Sequence, residues 1–100
     1  MLQEYTPEAE NDLKAILEYY YFIVQSKSYA NRLNDIFENE IEVIRIHPKI
    51  GKPCNSNNVR AKIIGQHQIV YENTDSIIYI LRIWDSRQNP SKLSLKHTKK

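Results

Sequence analysis

The chain has 100 residues, of which 41% are hydrophobic and 26% charged, a length and composition typical of one soluble globular domain. A single cysteine excludes an internal disulfide, and no signal-like or transmembrane-length apolar run occurs, so we expect a cytoplasmic protein without a membrane partner. The net charge of +2 is unevenly divided: residues 1–50 carry five Lys and Arg against nine Asp and Glu, and residues 51–100 carry nine against three. This asymmetry suggests an anionic partner for the basic half, although solvated faces on a helical pair and a sheet edge are the simpler explanation.

The first half of the chain predicts a short strand and a helix. Leu2–Tyr5 is a candidate first strand. Thr6 is a suitable N-cap, and Pro7 at the first helical position with acidic residues in the first turn completes a helix start. The apolar residues of this helix recur at helical spacing and should face the core: Ala9, Leu13, Ile16, Leu17, Tyr20, Ile23 and Val24.

A second helix is predicted over residues 28–46, with Ser28 as a possible N-cap. Pro48 sets its end, because the residue before a proline is pushed out of the α region. The turn at residues 25–27 is short, so the two helices should form an antiparallel hairpin. The apolar stripe of the second helix comprises Ala30, Leu33, Ile36, Phe37, Ile41 and Ile44.

The second half predicts a loop followed by three strands. Glycine, proline and an asparagine cluster make residues 50–58 a loop. Strands are predicted, with turns between them, at Val59–Ile64, 67–72 and 76–84. The last strand is apolar on both faces, which indicates a central position. The predicted fold class is α+β, an N-terminal helical hairpin packed on a small antiparallel β-sheet, in one domain over residues 1–95 with a basic tail at 96–100.

The remaining chemistry is basic. The chain has no glycine-rich phosphate loop, metal-ligand spacing or nucleophilic triad motif, so no cofactor and no metal are predicted. Arg60 and Lys62 are two residues apart and point to one face of a strand. With Arg82 and Arg87 from the last strand and its exit, and Lys52 from the loop, they could form a concave positive surface able to bind phosphate.

Four further side chains have two interpretations each. His67 is a weak candidate for proton transfer, or a histidine at a turn edge without a catalytic role. Trp84 is a core or rim residue rather than a base-stacking platform. Asp85 either orients Arg87 through an ion pair or is a loop acid. Cys54 is interpreted as an incidental exposed cysteine rather than a reactive one.

An ordered set of segments resembles the RelE/ParE superfamily of bacterial toxins over residues 2–93. The segments are YTPEA and LKAI within 5–16, PKIG at 48–51, Arg60, IVYE at 69–72 and IYILRIWDSRQNP at 78–90. The resemblance implies a helical hairpin against a small antiparallel sheet. It also implies the toxin of a type II toxin–antitoxin pair, held in a hetero-oligomer by a cognate antitoxin. RelE-like members cut mRNA in the ribosomal A site, whereas ParE-like members poison DNA gyrase and cut no RNA.

The residues that carry over from the family favour its ParE-like branch. Arg60, Lys62 and Arg87 match basic positions of the RelE-like nucleases. Gln68 stands where those nucleases have an arginine, and Leu93 stands near their C-terminal tyrosine. Because neither replacement supplies the charge or the proton that cleavage uses, the resemblance implies a toxin that binds gyrase and is not an enzyme.

Two alternatives to gyrase binding remain. One is a ribosome-dependent mRNA endonuclease that uses Arg60, Lys62 and Arg87, with His67 in a weaker role. The other is an inactive family member that keeps only antitoxin binding. In a non-cleaving toxin, a docking set is expected to bind the target or the antitoxin, with Arg60 and Arg87 both exposed. Its members are Arg60, Lys62, Arg82, Trp84, Asp85 and Arg87.

Overall fold

The computed structural model describes residues 2–54 and 58–85 and confirms an α+β fold, with a helical hairpin packed on one face of a β-sheet. The predicted end of the domain at residue 95 and the basic tail at 96–100 lie outside these ranges. No helix in the described ranges is long and apolar enough to cross a membrane. The elements are β1 (Leu2–Tyr5), α1 (Pro7–Glu18), a π-helical turn (Tyr19–Ile23), α2 (Lys27–Ile46), β2 (Lys52–Pro53), β3 (Val59–Ile64), β4 (His67–Asn73) and β5 (Ile77–Asp85).

The five strands form a mixed sheet in the order β1-β5-β4-β3-β2. Strands β3, β4 and β5 make the predicted antiparallel meander, and β5 has neighbours on both sides as its apolar run predicted. The first strand pairs parallel with the last, Leu2 opposite Ile77 and Tyr5 opposite Ile80. Parallel pairing needs a long connection, which the helical hairpin and the meander together supply. Strand β2, absent from the prediction, has only two residues and lies opposite Arg60 and Ala61.

Thr6 joins three elements at the start of α1. Its side-chain oxygen accepts a hydrogen bond from the backbone N–H of Ala9 at 3.1 Å, as an N-cap does. The same hydroxyl lies 2.9 Å from the carbonyl oxygen of Leu81 and 3.1 Å from that of Ile80, both in β5. The predicted N-cap is therefore confirmed, and it also fixes the helix to the sheet.

The π-helical turn changes which residues of the first helix face the core. Tyr20 packs against the core, but Ile23 is 71% exposed and Val24 48% exposed. The prediction that these two residues belong to the buried stripe is wrong. A π-helical turn contains one residue more than an α-helical turn. The residues after it are therefore rotated away from the helix face on which Ala9 and Ile16 lie.

Helix α2 begins at Lys27, and its N-cap is Ser26 rather than the predicted Ser28. Ser26 has extended backbone angles, and its side chain accepts from the N–H of Tyr29 at 3.2 Å. Gln25, just before Ser26, has a φ of 61°. The chain therefore turns at Gln25, and Ser26 rather than Ser28 occupies the N-cap position. Five of the six residues of the predicted stripe are buried, namely Ala30, Leu33, Phe37, Ile41 and Ile44. The sixth, Ile36, is 36% exposed, so its assignment to the buried stripe is wrong.

The main core lies between the hairpin and the sheet, where Phe37 and Ile41 of α2 meet Ile69 and Tyr71 of β4. A smaller cluster on the other face of the sheet contains Val59, Val70 and Leu81. Partly buried Cys54 packs on this second cluster, so the prediction that its side chain is exposed is wrong. Each large aliphatic side chain buried in these clusters contributes roughly 1.5–3 kcal/mol of transfer free energy.

Candidate docking surface

Arg60 and Lys62 lie on the face of β3 that the helical hairpin covers. Their cross-strand partners in β4 are Tyr71 and Ile69, both in the main core. The side chain of Lys62 therefore meets helix α2, where its Nζ lies 2.7 Å from Oε1 of Glu40. The predicted shared face is confirmed, but its lysine already has a carboxylate partner within the fold.

Arg60 is bound to the loop that precedes β2. Its Nη1 donates to the carbonyl oxygen of Gly51 at 2.7 Å and to that of Lys49 at 3.2 Å. The residue is half-buried rather than exposed as predicted. Its guanidinium thus supports a loop, because a fork of N–H donors can satisfy two carbonyls at once.

A buried hydroxyl fixes the same loop from the core side. The hydroxyl of Tyr71 donates to the carbonyl oxygen of Pro48 at 2.6 Å and accepts from the N–H of Gly51 at 3.0 Å. A side chain at Gly51 would have its Cβ 2.9 Å from the carbonyl oxygen of Ala61, so only glycine fits there. Burial raises the pKa of the Tyr71 hydroxyl. Two of the resembling sequence segments, at 48–51 and 69–72, therefore meet in one hydrogen-bonded junction.

Arg82 forms the most complete ion pair of the described residues. Its Nε and Nη2 donate to the two carboxylate oxygens of Asp12 at 2.7 and 3.0 Å. The same carboxylate accepts from the backbone N–H of Ile83 at 3.0 Å. The guanidinium also lies 5.5 Å from the ring of Trp84. The hydrogen bond that Arg82 donates to Asp12 raises the pKa of Arg82, so the arginine stays charged.

Asp12 is a partner of the candidate docking surface that the sequence interpretation missed. It lies three residues after Ala9 and four before Ile16, which places a carboxylate beside the buried stripe of α1. A charge at that position needs a partner within the fold. This spacing was the available signal, although it identifies neither the partner nor the element that supplies it.

The remaining predicted site residues on β4 and β5 are largely internal. His67 is 2% exposed, and its ring lies edge-to-face against Phe37 with centroids 5.3 Å apart. Trp84 is 6% exposed, which confirms its interpretation as a core or rim residue. Asp85 lies opposite His67 at the end of the β4–β5 ladder. Arg87 lies outside the described residues.

The sequence matches the family model described as the ParE toxin of the type II toxin–antitoxin system parDE, over residues 4–90. The chain belongs to the ParE toxin family. A search of curated proteins finds no match. The chromosomal ParDE toxin–antitoxin system from P. aeruginosa superposes with a TM-score of 0.73 at 20% identity, covering 85% of this chain and 95% of the other. The E. coli DinJ–YafQ complex superposes with a TM-score of 0.53 at 14% identity, covering 85% and 92%.

In this ParE-family chain the three described cations do not form the predicted single surface, because Arg60 and Lys62 lie opposite residues of the main core whereas Arg82 lies opposite Val70 of the second cluster. Lys62 and Arg82 are each paired with a carboxylate, and their side chains are each 21% exposed. Arg60 has only carbonyl partners among the hydrogen bonds found, so its charge is the least compensated of the three. The described part of the chain holds no group of three or more His, Cys, Asp or Glu placed to bind a metal ion.

Substituting Arg60 by alanine should lower the free energy of unfolding of this ParE-family protein by about 1–2 kcal/mol, because two loop carbonyls lose a charged donor. Urea denaturation measures the change. Lys52→Ala on the neighbouring strand is the matched control, since Lys52 is exposed, and it should leave the midpoint unchanged. An Arg60→Ala variant as stable as the wild type would contradict a structural role for the arginine.

Proposed function

We propose that this ParE-family protein inhibits growth by binding DNA gyrase, catalyses no reaction, and is neutralised by a cognate antitoxin. The family match over residues 4–90 supports the toxin role. The observation that carries the non-enzymatic mechanism is the burial of His67, the described residue proposed for proton transfer in RNA cleavage.

Cleavage of RNA by its 2′-hydroxyl needs a general base or acid within hydrogen-bond reach of the substrate. A histidine that is 2% exposed and packed on Phe37 does not meet that requirement without a rearrangement of the core. Gln68 on the same strand carries no charge to stabilise a dianionic phosphorane. These contacts favour a toxin that acts by occupying its target.

The antitoxin proposal is supported by the superposed structures, which are described as a toxin–antitoxin system and as a complex of two proteins. We expect the docking set to act through what remains accessible of Arg60, Lys62 and Arg82. Trp84 would then support Arg82 from beneath, because a flat ring below a guanidinium limits its orientations.

The decisive experiment measures supercoiling by purified gyrase in the presence of the purified full chain. Inhibition that increases with toxin concentration, and that disappears when the antitoxin is added, is the expected result. A parallel arm maps mRNA ends on translating ribosomes. Codon-positioned cuts without gyrase inhibition would replace the proposal with the RelE-like nuclease. Normal growth after induction, together with neither activity, would indicate an inactive member that retains antitoxin binding.

A matched pair of variants locates the contact. Lys62→Ala removes a cation of the docking set, and Lys14→Ala removes an exposed cation from α1. We expect Lys62→Ala to weaken inhibition several-fold and Lys14→Ala to leave it unchanged. Equal inhibition by both variants would place the gyrase contact elsewhere on the protein.

A further inference from the structure

The far end of the helical hairpin carries an apolar surface that the proposed function does not use. We call it the tip patch. It contains six residues with exposed fractions between 37% and 71%: Tyr19, Tyr21, Phe22, Ile23, Val24 and Tyr29. No charged residue occurs between positions 18 and 27. Large side chains have surfaces of about 200 Å² each, so these exposed fractions together leave roughly 500 Å² of apolar surface in contact with water. That area is near the upper end for the largest apolar patch on a monomeric protein.

The tip patch is held in an ordered arrangement. Tyr20 points inward and packs against the main core. Its hydroxyl accepts a hydrogen bond from the side-chain amide of Gln66 at 2.8 Å. Its ring also contacts the rings of Tyr19 and Tyr29, with centroids 5.1 and 4.8 Å apart. Because Tyr20 anchors the π-helical turn, the residues after it are directed outward as a consequence of the fold.

The tip patch combines an exposed apolar side chain with an adjoining groove. Ile23, 71% exposed, projects from the tip, and a groove of about 440 Å³ lies beside it between the two helices. Leu17, Phe22 and Ala30 are among the residues that line this groove. A two-fold axis brings the same patch of two copies together, so the projecting side chain of each copy can enter the groove of the other.

The charges at the two ends of the patch complement each other as well. Glu18 borders it on the α1 side, and Lys27 borders it on the α2 side with its Nζ 5.4 Å from the ring of Tyr21. Antiparallel packing of two copies would place each glutamate on the side of the patch that carries the lysine of the other copy. Pairing would bury roughly 1,000 Å² in total, which is the range of weak but specific interfaces.

We propose that the tip patch is a self-association surface on which a second copy of this chain packs about a two-fold axis. The inference is independent of gyrase binding, since it concerns the hairpin end and not the docking set. An apolar centre rich in aromatic residues with a charged rim is the usual anatomy of a protein interface.

Sedimentation equilibrium of the full chain, freed from its antitoxin and refolded, tests the proposal at concentrations from about 1 to 200 µM. A monomer–dimer equilibrium is the expected result. Ile23→Glu should weaken dimerisation at least about 100-fold, because it places two charges in the apolar centre. Ile46→Glu is the matched control, since Ile46 is 56% exposed and lies at the end of α2 opposite the tip patch, and it should dimerise like the wild type.

A charge exchange gives a second, independent readout. Glu18→Lys should weaken the dimer about 5-fold, and adding Lys27→Glu to the same chain should restore it, because the pair is then reversed. A wild-type chain that stays monomeric at the highest concentration would overturn the proposal. If Ile23→Glu then weakens antitoxin binding, the patch belongs to the antitoxin. A dimer whose stability is unaffected by Ile23→Glu would also overturn the proposal that the tip patch is the self-association surface.

Discussion

Replacing Asp12 with alanine should lower the free energy of unfolding by about 2–3 kcal/mol. The carboxylate accepts two hydrogen bonds from Arg82 and one from the backbone of Ile83, and its side chain is only 17% exposed. Removing it leaves a largely buried guanidinium without its partner and a backbone N–H unsatisfied. Loss of one member of such a pair is far more destabilising than the net contribution of the pair itself.

Glu42→Ala is the matched control for Asp12→Ala. Glu42 and Arg45 also form an ion pair, but they lie three residues apart on α2 with both side chains substantially exposed. Pairs of this kind contribute little to stability, so urea denaturation should detect no change. Asp12→Asn should fall between the two variants, since an amide oxygen can still accept from Ile83. If Asp12→Ala and Glu42→Ala behave alike, the Asp12 pair is not a structural element of the fold.

Replacing Tyr71 with phenylalanine should lower the free energy of unfolding by about 1–3 kcal/mol. The substitution removes only the hydroxyl, which donates to Pro48 and accepts from Gly51. Both backbone groups then lose a partner at a site where water has little access. Tyr79→Phe is the control, because the same group is removed from a partly buried tyrosine whose hydroxyl makes no hydrogen bond to the described residues. Equal stability of the two variants would contradict the role of the Tyr71 hydroxyl.

The same substitution has a distinct pH signature. Burial raises the pKa of Tyr71 in the folded state, so the folded protein keeps this proton when the unfolded chain has lost it. The stabilisation that this difference in pKa gives the folded protein is complete below the unfolded pKa of about 10. It is lost as pH rises through the higher folded pKa. Wild type should therefore lose stability above pH 10 more steeply than Tyr71→Phe. Tyr5, whose pKa burial also raises, is common to both proteins and cancels from the comparison.

Periodic patterns in the sequence predicted the regular elements well. Five of the six residues in the α2 stripe are buried as their spacing indicated, and the strand that is apolar on both faces lies between two others. Capping chemistry located the start of α1 at Thr6 but misplaced that of α2. Ser26 and Ser28 are both good caps, and the choice depends on the positive φ of Gln25, which residue type does not reveal.

The candidate site was harder to predict, because whether its cations are free or paired depends on residues that are distant in the sequence. Lys62 and Arg82 look like free surface charges in the sequence, yet Glu40 and Asp12 reach them from the helices. Those pairings are set by how the hairpin packs on the sheet, which no local pattern encodes. The π-helical turn is a similar case, since a run of aromatic residues at 19–22 fits an ordinary helix equally well.

The parallel pairing of β1 with β5 has a consequence for biosynthesis. The backbone of Thr6, just after β1, bonds to Ile80, 74 residues away along the chain. As the chain leaves the ribosome, the hairpin can form early, but neither β1 nor the start of α1 has its partner until β5 has emerged. Contacts of such long sequence separation are formed late and slowly. A newly made molecule should therefore complete its fold only after β5 has emerged, which leaves an interval for the antitoxin to bind before the toxin domain is fully assembled.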